Sequence, residues 1–327
     1  MAGAIFAYPM IENAIRGNRG RTIADHGLEM GKLFSGFAAV AAGNPLADRR
    51  QGFSAEQIAT VGSDNPYIGF PYTKLMNSNA FIDQSAAIIL TSVAKAKELG
   101  IPKEKWVYLH GCADAYDHWY LSDRKNFHSS PAMSKVAQEA FEMANSTLDD
   151  MAALDLYSCF PAAIKIFSKS LGLDNQISKT ITGSMAYAGG PLNSFVLHST
   201  VKMIQKIRTS EVSHGLVTGV SGMMTKQSFC VWGKEYQEQF IFNDVTDQAK
   251  LNEIPVELST ITEGEGEIIG YTIIEEDESA QKAVLYVDDE KKDRKVVSSH
   301  NKIFINLLME EEWVGKKVKF KDGQVVR

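Results

Sequence analysis

Apolar and polar positions alternate at mixed three- and four-residue spacing through "YPMIENAIRG" (8–17), which predicts a helix stopped by Gly17. The longer apolar-faced stretch "TIADHGLEMGKLFSGFAAVAA" predicts a second helix, ended by "GNP". From 51 to 82 the chain is loop-like, and "GSDNPYIGFPYTKLMNSN" is rich in Gly, Pro and Asn. The short apolar run "DQSAAIILTS" (83–92) reads as a buried strand and "VAKAKELG" as a helix with a glycine end. "KWVYLHGCADA" is a strand running into a loop. "SPAMSKVAQEAFEMAN" is a helix capped by Ser129 or Ser130, with Pro131 in its first turn.

The pattern continues with a turn and strand tip in "TLDDMAALDLYSCF" and an amphipathic helix in "PAAIKIFSKSLGL". A further helix covers 194–209, followed by two apolar strands, "HGLVTGVSG" and "MMTKQSFCVW". Strands alternating with helices predict a layered α/β domain. Near 233 the composition changes to a polar connection and then to short charged strands with one helix, "NKIFINLLMEEEW", and an Asp-Gly hairpin signal. That arrangement predicts a small OB-like β-barrel. The expected organisation is a helical loop region at 1–82, the layered α/β unit at 83–232 and the barrel at 233–327.

The 327 residues carry a formal charge of −6, with a pI near 5.7. This argues against a nucleic-acid surface and against a polybasic membrane anchor. The apolar runs are too short to span a bilayer, and "MAGAIFAYPM" lacks the basic start of a signal peptide. Three cysteines, Cys112, Cys159 and Cys230, form no metal-ligand spacing, and the expectation is a reduced cytoplasmic protein without a metal.

Candidate chemistry is sparse. Cys159 stands where a strand meets the helix beginning at Pro161, so the helix N-terminus would favour its thiolate; the alternative is a small buried hydrophobe. His198, on the helix after a Gly-Gly-Pro turn, is either a pocket-lining base or a hydrogen-bonded histidine at a helix contact. The stretch 109–128 holds His110, Cys112, Asp114, Asp117, His118 and His128, but its spacing suits an aromatic-rich polar loop over a pocket mouth better than a metal site. Gly189 and Gly190, and Gly219 and Gly222 in "TGVSG", permit close backbone approach to a ligand and backbone donors for an oxyanion.

As an ordered set, "DQSAAIILTSVAKAKELGI", "DLYSCFPAAI", "TGSMAYAGGPLNS" and "GLVTGVSG" resemble the C-terminal half of thiolases. The closest resemblance is to acetyl-CoA acetyltransferases allied to the sterol-carrier-protein-type thiolases with an additional C-terminal domain. The resemblance implies a thiolase-like layered fold without the N-terminal half that carries the nucleophilic cysteine. Residues 83–99 would supply the last strand of that half, and none of the three cysteines would be the nucleophile. The family's His-Asp-Cys-Phe motif is represented here by Tyr157-Ser158-Cys159-Phe160, and its Gly-His-Pro by Gly189-Gly190-Pro191. Cys159 and Tyr157 are thereby the implied catalytic groups, with His198 as a replacement base. Gly189, Gly190, Gly219 and Gly222 are the implied oxyanion and substrate contacts.

The implied function is an acyl-CoA acyltransferase component that binds CoA or its thioester as substrate and holds no permanent cofactor. It would work in a homo- or hetero-oligomer with a partner bearing the nucleophile. The alternative is a non-catalytic acyl-CoA-binding or scaffolding subunit. A truncated or split reading frame is a third expectation, and it would leave an apolar face exposed.

Overall fold

Helix α1 (Ala4–Asn18) is almost wholly buried from Ala7 to Arg16, although it carries Glu12, Asn13 and Arg16 in its middle. Buried polar groups on such a helix need partners, and each of these has them. The Asn13 amide donates to the carbonyls of Tyr271 (2.7 Å) and Phe70 (3.3 Å). Arg16 donates to Glu312 at 2.6 Å and to the Tyr271 hydroxyl at 2.6 Å. These contacts tie the first helix to the last hundred residues of the chain. In this computed structural model residues 3–173, 178–238, 240, 242–251, 253–275 and 281–326 are described.

Helix α2 (Ile23–Ala42) starts at Thr22, whose hydroxyl accepts from the Asp25 amide. The loop-like stretch that follows contains the short helix α3 (Ala55–Ala59) and a small hairpin, β1 (Tyr67–Gly69) and β2 (Tyr72–Thr73). The buried strand expected over 83–92 does not form. Those residues form no ladder up to the short helix α4 (Val93–Glu98), and Ile89 and Leu90 face solvent. Among the described residues no strand lies alongside to pair with them, so apolar content alone did not make a sheet.

The central sheet has the order β4-β5-β6-β3-β7. Its strands are β3 (Tyr108–Tyr116), β4 (Ala153–Asp155), β5 (His214–Ser221), β6 (Lys226–Gly233) and β7 (Phe242–Asp244). The register pairs Cys112 with Cys230 and Gly219 with Ser228, and the two outer pairings are parallel. β7 belongs to the polar connection beyond 232, so the sheet reaches further along the chain than its apolar strands indicate.

Helix α5 (Pro131–Met143), capped by Ser130, lies on β3 so closely that a Cβ on Gly111 would stand 2.1 Å from the Ala140 carbonyl oxygen. Helix α6 (Pro161–Leu171) begins at a proline and ends at Gly172 in the left-handed conformation. Its Phe167 meets Phe229 of β6 at 5.4 Å. Helix α7 (Phe195–Arg208) covers β5, where Met203 sits against Gly215. The short helix α8 (Thr246–Lys250) follows β7.

The C-terminal strands close a five-stranded barrel in the order β10-β12-β11-β8-β9. They are β8 (Glu263–Glu275), β9 (Gln281–Asp288), β10 (Arg294–Ser299), β11 (Lys317–Lys321) and β12 (Gln324–Val326), with helix α9 (Lys302–Glu310) inserted before β11. Phe320, Leu285, Ile268 and Val287 fill its interior. The mixed α/β layered unit and the barrel agree with the fold class expected from the pattern. Among the described residues no helix is long and apolar enough to cross a membrane.

Candidate functional site

A cavity of about 700 Å³ opens between the start of α1, the Tyr157–Phe160 loop and the ends of β5, β6 and β3. Its volume is in the range of small-molecule sites. Of the residues singled out in the sequence, Asp114, Tyr157, Cys159, Gly219 and Gly222 line it, and His110, Cys112, Asp117, His118, His128, His198, Gly189 and Gly190 do not.

Cys159 is held from three directions. Its carbonyl accepts from the Ser78 hydroxyl at 3.0 Å, its neighbour Ser158 accepts from the Met185 amide at 3.1 Å, and Tyr8 of α1 stands against its thiol. Burial pushes the thiol up to about 12, and hydrogen bonds from Tyr8 and from the Phe160 amide oppose that shift only in part. This corrects the expectation of a thiolate favoured by the α6 N-terminus: desolvation outweighs the helix end, and the group is a neutral thiol at pH 7. Burial and the nearby Cys159 also raise Tyr157, so its phenol stays protonated.

Tyr157 is positioned by its backbone amide, which donates to Thr218 at 2.9 Å, and by an edge contact with Phe195. Just before it, the buried Asp155 gathers the 180–182 loop and α7. It accepts from the Ile181 and Thr182 amides at 3.0 and 2.9 Å and from Ser199 at 3.0 Å.

The Gly-Gly-Pro turn has a different task from the one expected. Gly189 adopts φ +111° beneath the Ile82 side chain, and the Gly190 amide donates to the Asn79 carbonyl at 2.8 Å. That amide is occupied and is not a free oxyanion donor. His198 lies half-buried on α7 beside the Ser194 hydroxyl at 3.2 Å, where burial lowers its pKa. It does not replace the missing imidazole inside the cavity.

Two lining groups, Tyr8 and Lys226, were not singled out in the sequence. Tyr8 sits in an apolar run and gave no signal beyond its type. Asp114 is the one carboxylate and Lys226 the one cation among the described lining residues. Burial, with help from Asp244, raises Asp114 above the usual carboxylate range. Lys226 lies over the rings of Trp119 (5.6 Å) and Tyr116 (5.9 Å) at the mouth, so aromatics of the 109–128 stretch do border the pocket. Among the described residues no cluster of His, Cys, Asp and Glu is arranged to hold a metal.

Beneath the site lies a buried polar network. Glu12 accepts from Lys165 at 2.6 Å and from the Tyr72 hydroxyl at 2.7 Å, and His26 Nε2 lies 2.6 Å away. The same Tyr72 hydroxyl accepts from the Ala162 amide at the start of α6.

The whole of this chain superposes on a monomeric SCP2-thiolase-like protein type 1 (STLP1) from Mycobacterium smegmatis, with a TM-score of 0.94 and 30% identity, covering 73% of that chain. The chain belongs to the thiolase-like superfamily. In sequence, this thiolase-like chain is 27% identical over 151 residues to a 3-ketoacyl-CoA thiolase of Pseudoalteromonas translucida (strain TAC 125). That match spans 45% of the chain but only 36% of the relative's length. An Ltp2-ChsH2(DUF35) aldolase shares the fold over 69% of the thiolase-like chain, with a TM-score of 0.56 and 16% identity. No protein-family model matches it.

Proposed function

We propose that this chain is the thioester-binding component of a thiolase-like acyl-CoA acyltransferase, with the attacking thiolate supplied by a partner polypeptide. The observation that carries this reading is the pair of neutral donors, Cys159 and Tyr157, in one cavity with Gly219. A neutral thiol and a neutral phenol donate hydrogen bonds to the oxygen of a tetrahedral intermediate without needing to ionise. In such a step the partner thiolate bonds to the thioester carbonyl carbon. The carbonyl electron pair moves to oxygen and then returns as the CoA thiolate leaves. At the mouth, Lys226 and Trp119 offer a cation and an aromatic face to the phosphate- and adenine-bearing end of CoA.

A second reading, an acyl-CoA-binding subunit without turnover, is favoured by the His198 position and the unionised thiol. The two separate by experiment. Acetyl-CoA binding is measured by calorimetry, and acyl transfer is measured after reconstitution with a nucleophile-bearing thiolase half. The proposal expects Cys159→Ala to leave binding within about threefold and to lower transfer at least about tenfold, the scale of one lost charge-stabilising donor. Transfer that is indifferent to Cys159→Ala sinks the catalytic reading, and absence of acetyl-CoA binding sinks both.

A further inference from the structure

Cys112 of β3 and Cys230 of β6 stand directly opposite each other in the antiparallel register, and their sulfurs lie 3.2 Å apart. Directly paired residues of antiparallel strands have Cα atoms about 4.5–5.5 Å apart, inside the span that a disulfide bridges. Both cysteines are free thiols on half-buried residues, whereas Cys159 is buried. Gly111 faces α5, and Phe229 of β6 meets Phe167 of α6. Alternation along each strand therefore puts Cys112 and Cys230 together on the opposite face of the sheet.

The same face carries the neighbouring rung, Asp114 opposite Ser228, and both of those residues line the cavity. The two thiols thus sit one rung from the cavity without forming part of its wall. The hydrogen bond between them lowers Cys112 below the ordinary thiol value, outweighing burial and the Asp114 charge, and the same bond raises Cys230. Cys112 is the sulfur that ionises first, and the donor that holds its thiolate is the second thiol needed for a bridge.

We propose that Cys112 and Cys230 form a thiol–disulfide exchange site, which a low-molecular-weight disulfide of the glutathione type oxidises to a cross-strand disulfide. The Cys112 thiolate attacks one sulfur of the small disulfide; a new S–S bond forms, the old one breaks, and one small thiolate leaves. Cys230, deprotonated in turn, attacks the Cys112 sulfur and expels the second small thiolate. The two protons given up by the cysteines are taken up by the two released thiolates. The protein is oxidised by two electrons and the small disulfide is reduced by two. The bridge joins positions 118 residues apart and ties β3 to β6 beside the cavity. This chemistry is independent of what the cavity binds.

The test exposes the reduced full chain to oxidised glutathione at pH about 8, blocks the remaining thiols with N-ethylmaleimide in urea, and reads intact mass and peptide maps. The expected product is a single chain with one blocked cysteine, Cys159, and with the peptides of Cys112 and Cys230 linked. Cys230→Ser is expected to halt at a mixed disulfide on Cys112. Cys112→Ser is expected to react at least about tenfold more slowly than the parent chain. The linked chain should also unfold at a higher urea midpoint than the reduced one, because the bridge constrains the unfolded state. Three blocked cysteines, two mixed disulfides without a link, a bridge to Cys159, or a bridge between two copies of the chain overturns the proposal. A Cys112→Ser chain that reacts as fast as its parent, or a linked chain with a lowered urea midpoint, overturns it equally. The mass and midpoint readings use the unaltered chain, so they decide the matter even where a serine variant folds poorly.

Discussion

The ring of Tyr8 stacks on that of Phe160, with centroids 4.5 Å apart and planes at 23°, and this holds a buried phenol against the Cys159 thiol. Phe160 is stacked by Tyr72 as well, at 5.5 Å, so the residue after the thiol is clamped between α1 and β2. The polar environment of Cys159 is therefore set by a helix 150 residues earlier in the chain.

A thiol raised to about 12 by burial reacts slowly with alkylating agents near neutrality. Iodoacetamide labelling followed by peptide mass spectrometry should show Cys159 modified at least about tenfold more slowly than Cys112 at pH 8, with a rate still climbing at pH 10. A Cys159 rate that levels off below pH 9 would contradict the burial argument. Because the folded thiol ionises later than the unfolded one, this group's stabilising contribution is full below pH about 9 and falls from there towards about 12.

Lys165 is the positive partner of the fully buried Glu12, at 2.6 Å. Replacing one member of such a pair strands the other's charge. Lys165→Met should therefore destabilise the chain by about 3–5 kcal/mol in urea unfolding. Glu12→Gln combined with Lys165→Met should recover part of that loss, because no buried charge is left alone.

The same network predicts acid sensitivity. Burial lowers the His26 pKa, so over the range between its folded and unfolded values the unfolded chain binds more protons than the folded one. Burial works against ionising Glu12, but Lys165 and His26 overcome it and hold the carboxyl far below its ordinary value near 4.5. Both folded values are depressed, so both contributions are present at pH 7 and are lost as pH falls. Unfolding free energy should decline first below about 6.5 and more steeply below about 4.5, and a flat profile between pH 7 and 4 would be inconsistent with the network.

Gly111 lies under α5, where an added Cβ meets a backbone oxygen at 2.1 Å, and neither the helix nor the strand can yield cheaply. Gly111→Ala should cost about 1–3 kcal/mol, read as a lowered midpoint in urea with an unchanged slope.

Gly189 is strained for a different reason. At φ +111° an alanine is disfavoured by about 1–3 kcal/mol, and its Cβ would displace Ile82 from the turn. Gly189→Ala should speed hydrogen exchange at Asn79 and Gly190, whose amides pair the chain around Asn79 with the turn, while leaving the cavity residues of β5 and β6 as protected as before.

The local pattern by itself determined most of the secondary structure. The 3.6-residue periodicity located α2, α6 and α7, Ser130 and Pro131 marked the start of α5, and the Asp-Gly pair marked the turn between β11 and β12. Order along the chain was also enough to recognise the thiolase-like motifs around Cys159 and Gly219. These signals are legible because caps, turns and amphipathic faces act over a few residues.

What tertiary structure decided is long-range. Strand formation at 83–92 needs a neighbour, and the same apolar run that reads as a buried strand stays bare without one. The ionisation of Cys159 depends on how deeply Tyr8, Phe160 and Tyr72 bury it, a quantity no spacing encodes. His198 and Gly190, close to the site in sequence, are directed elsewhere by α7 and by the Asn79 carbonyl, whereas Tyr8, Asp114 and Lys226 reach it from three distant segments. Desolvation and hydrogen-bond pairing are set by whichever groups the fold brings together, and so the chemistry of this cavity was settled only when the chain closed around it.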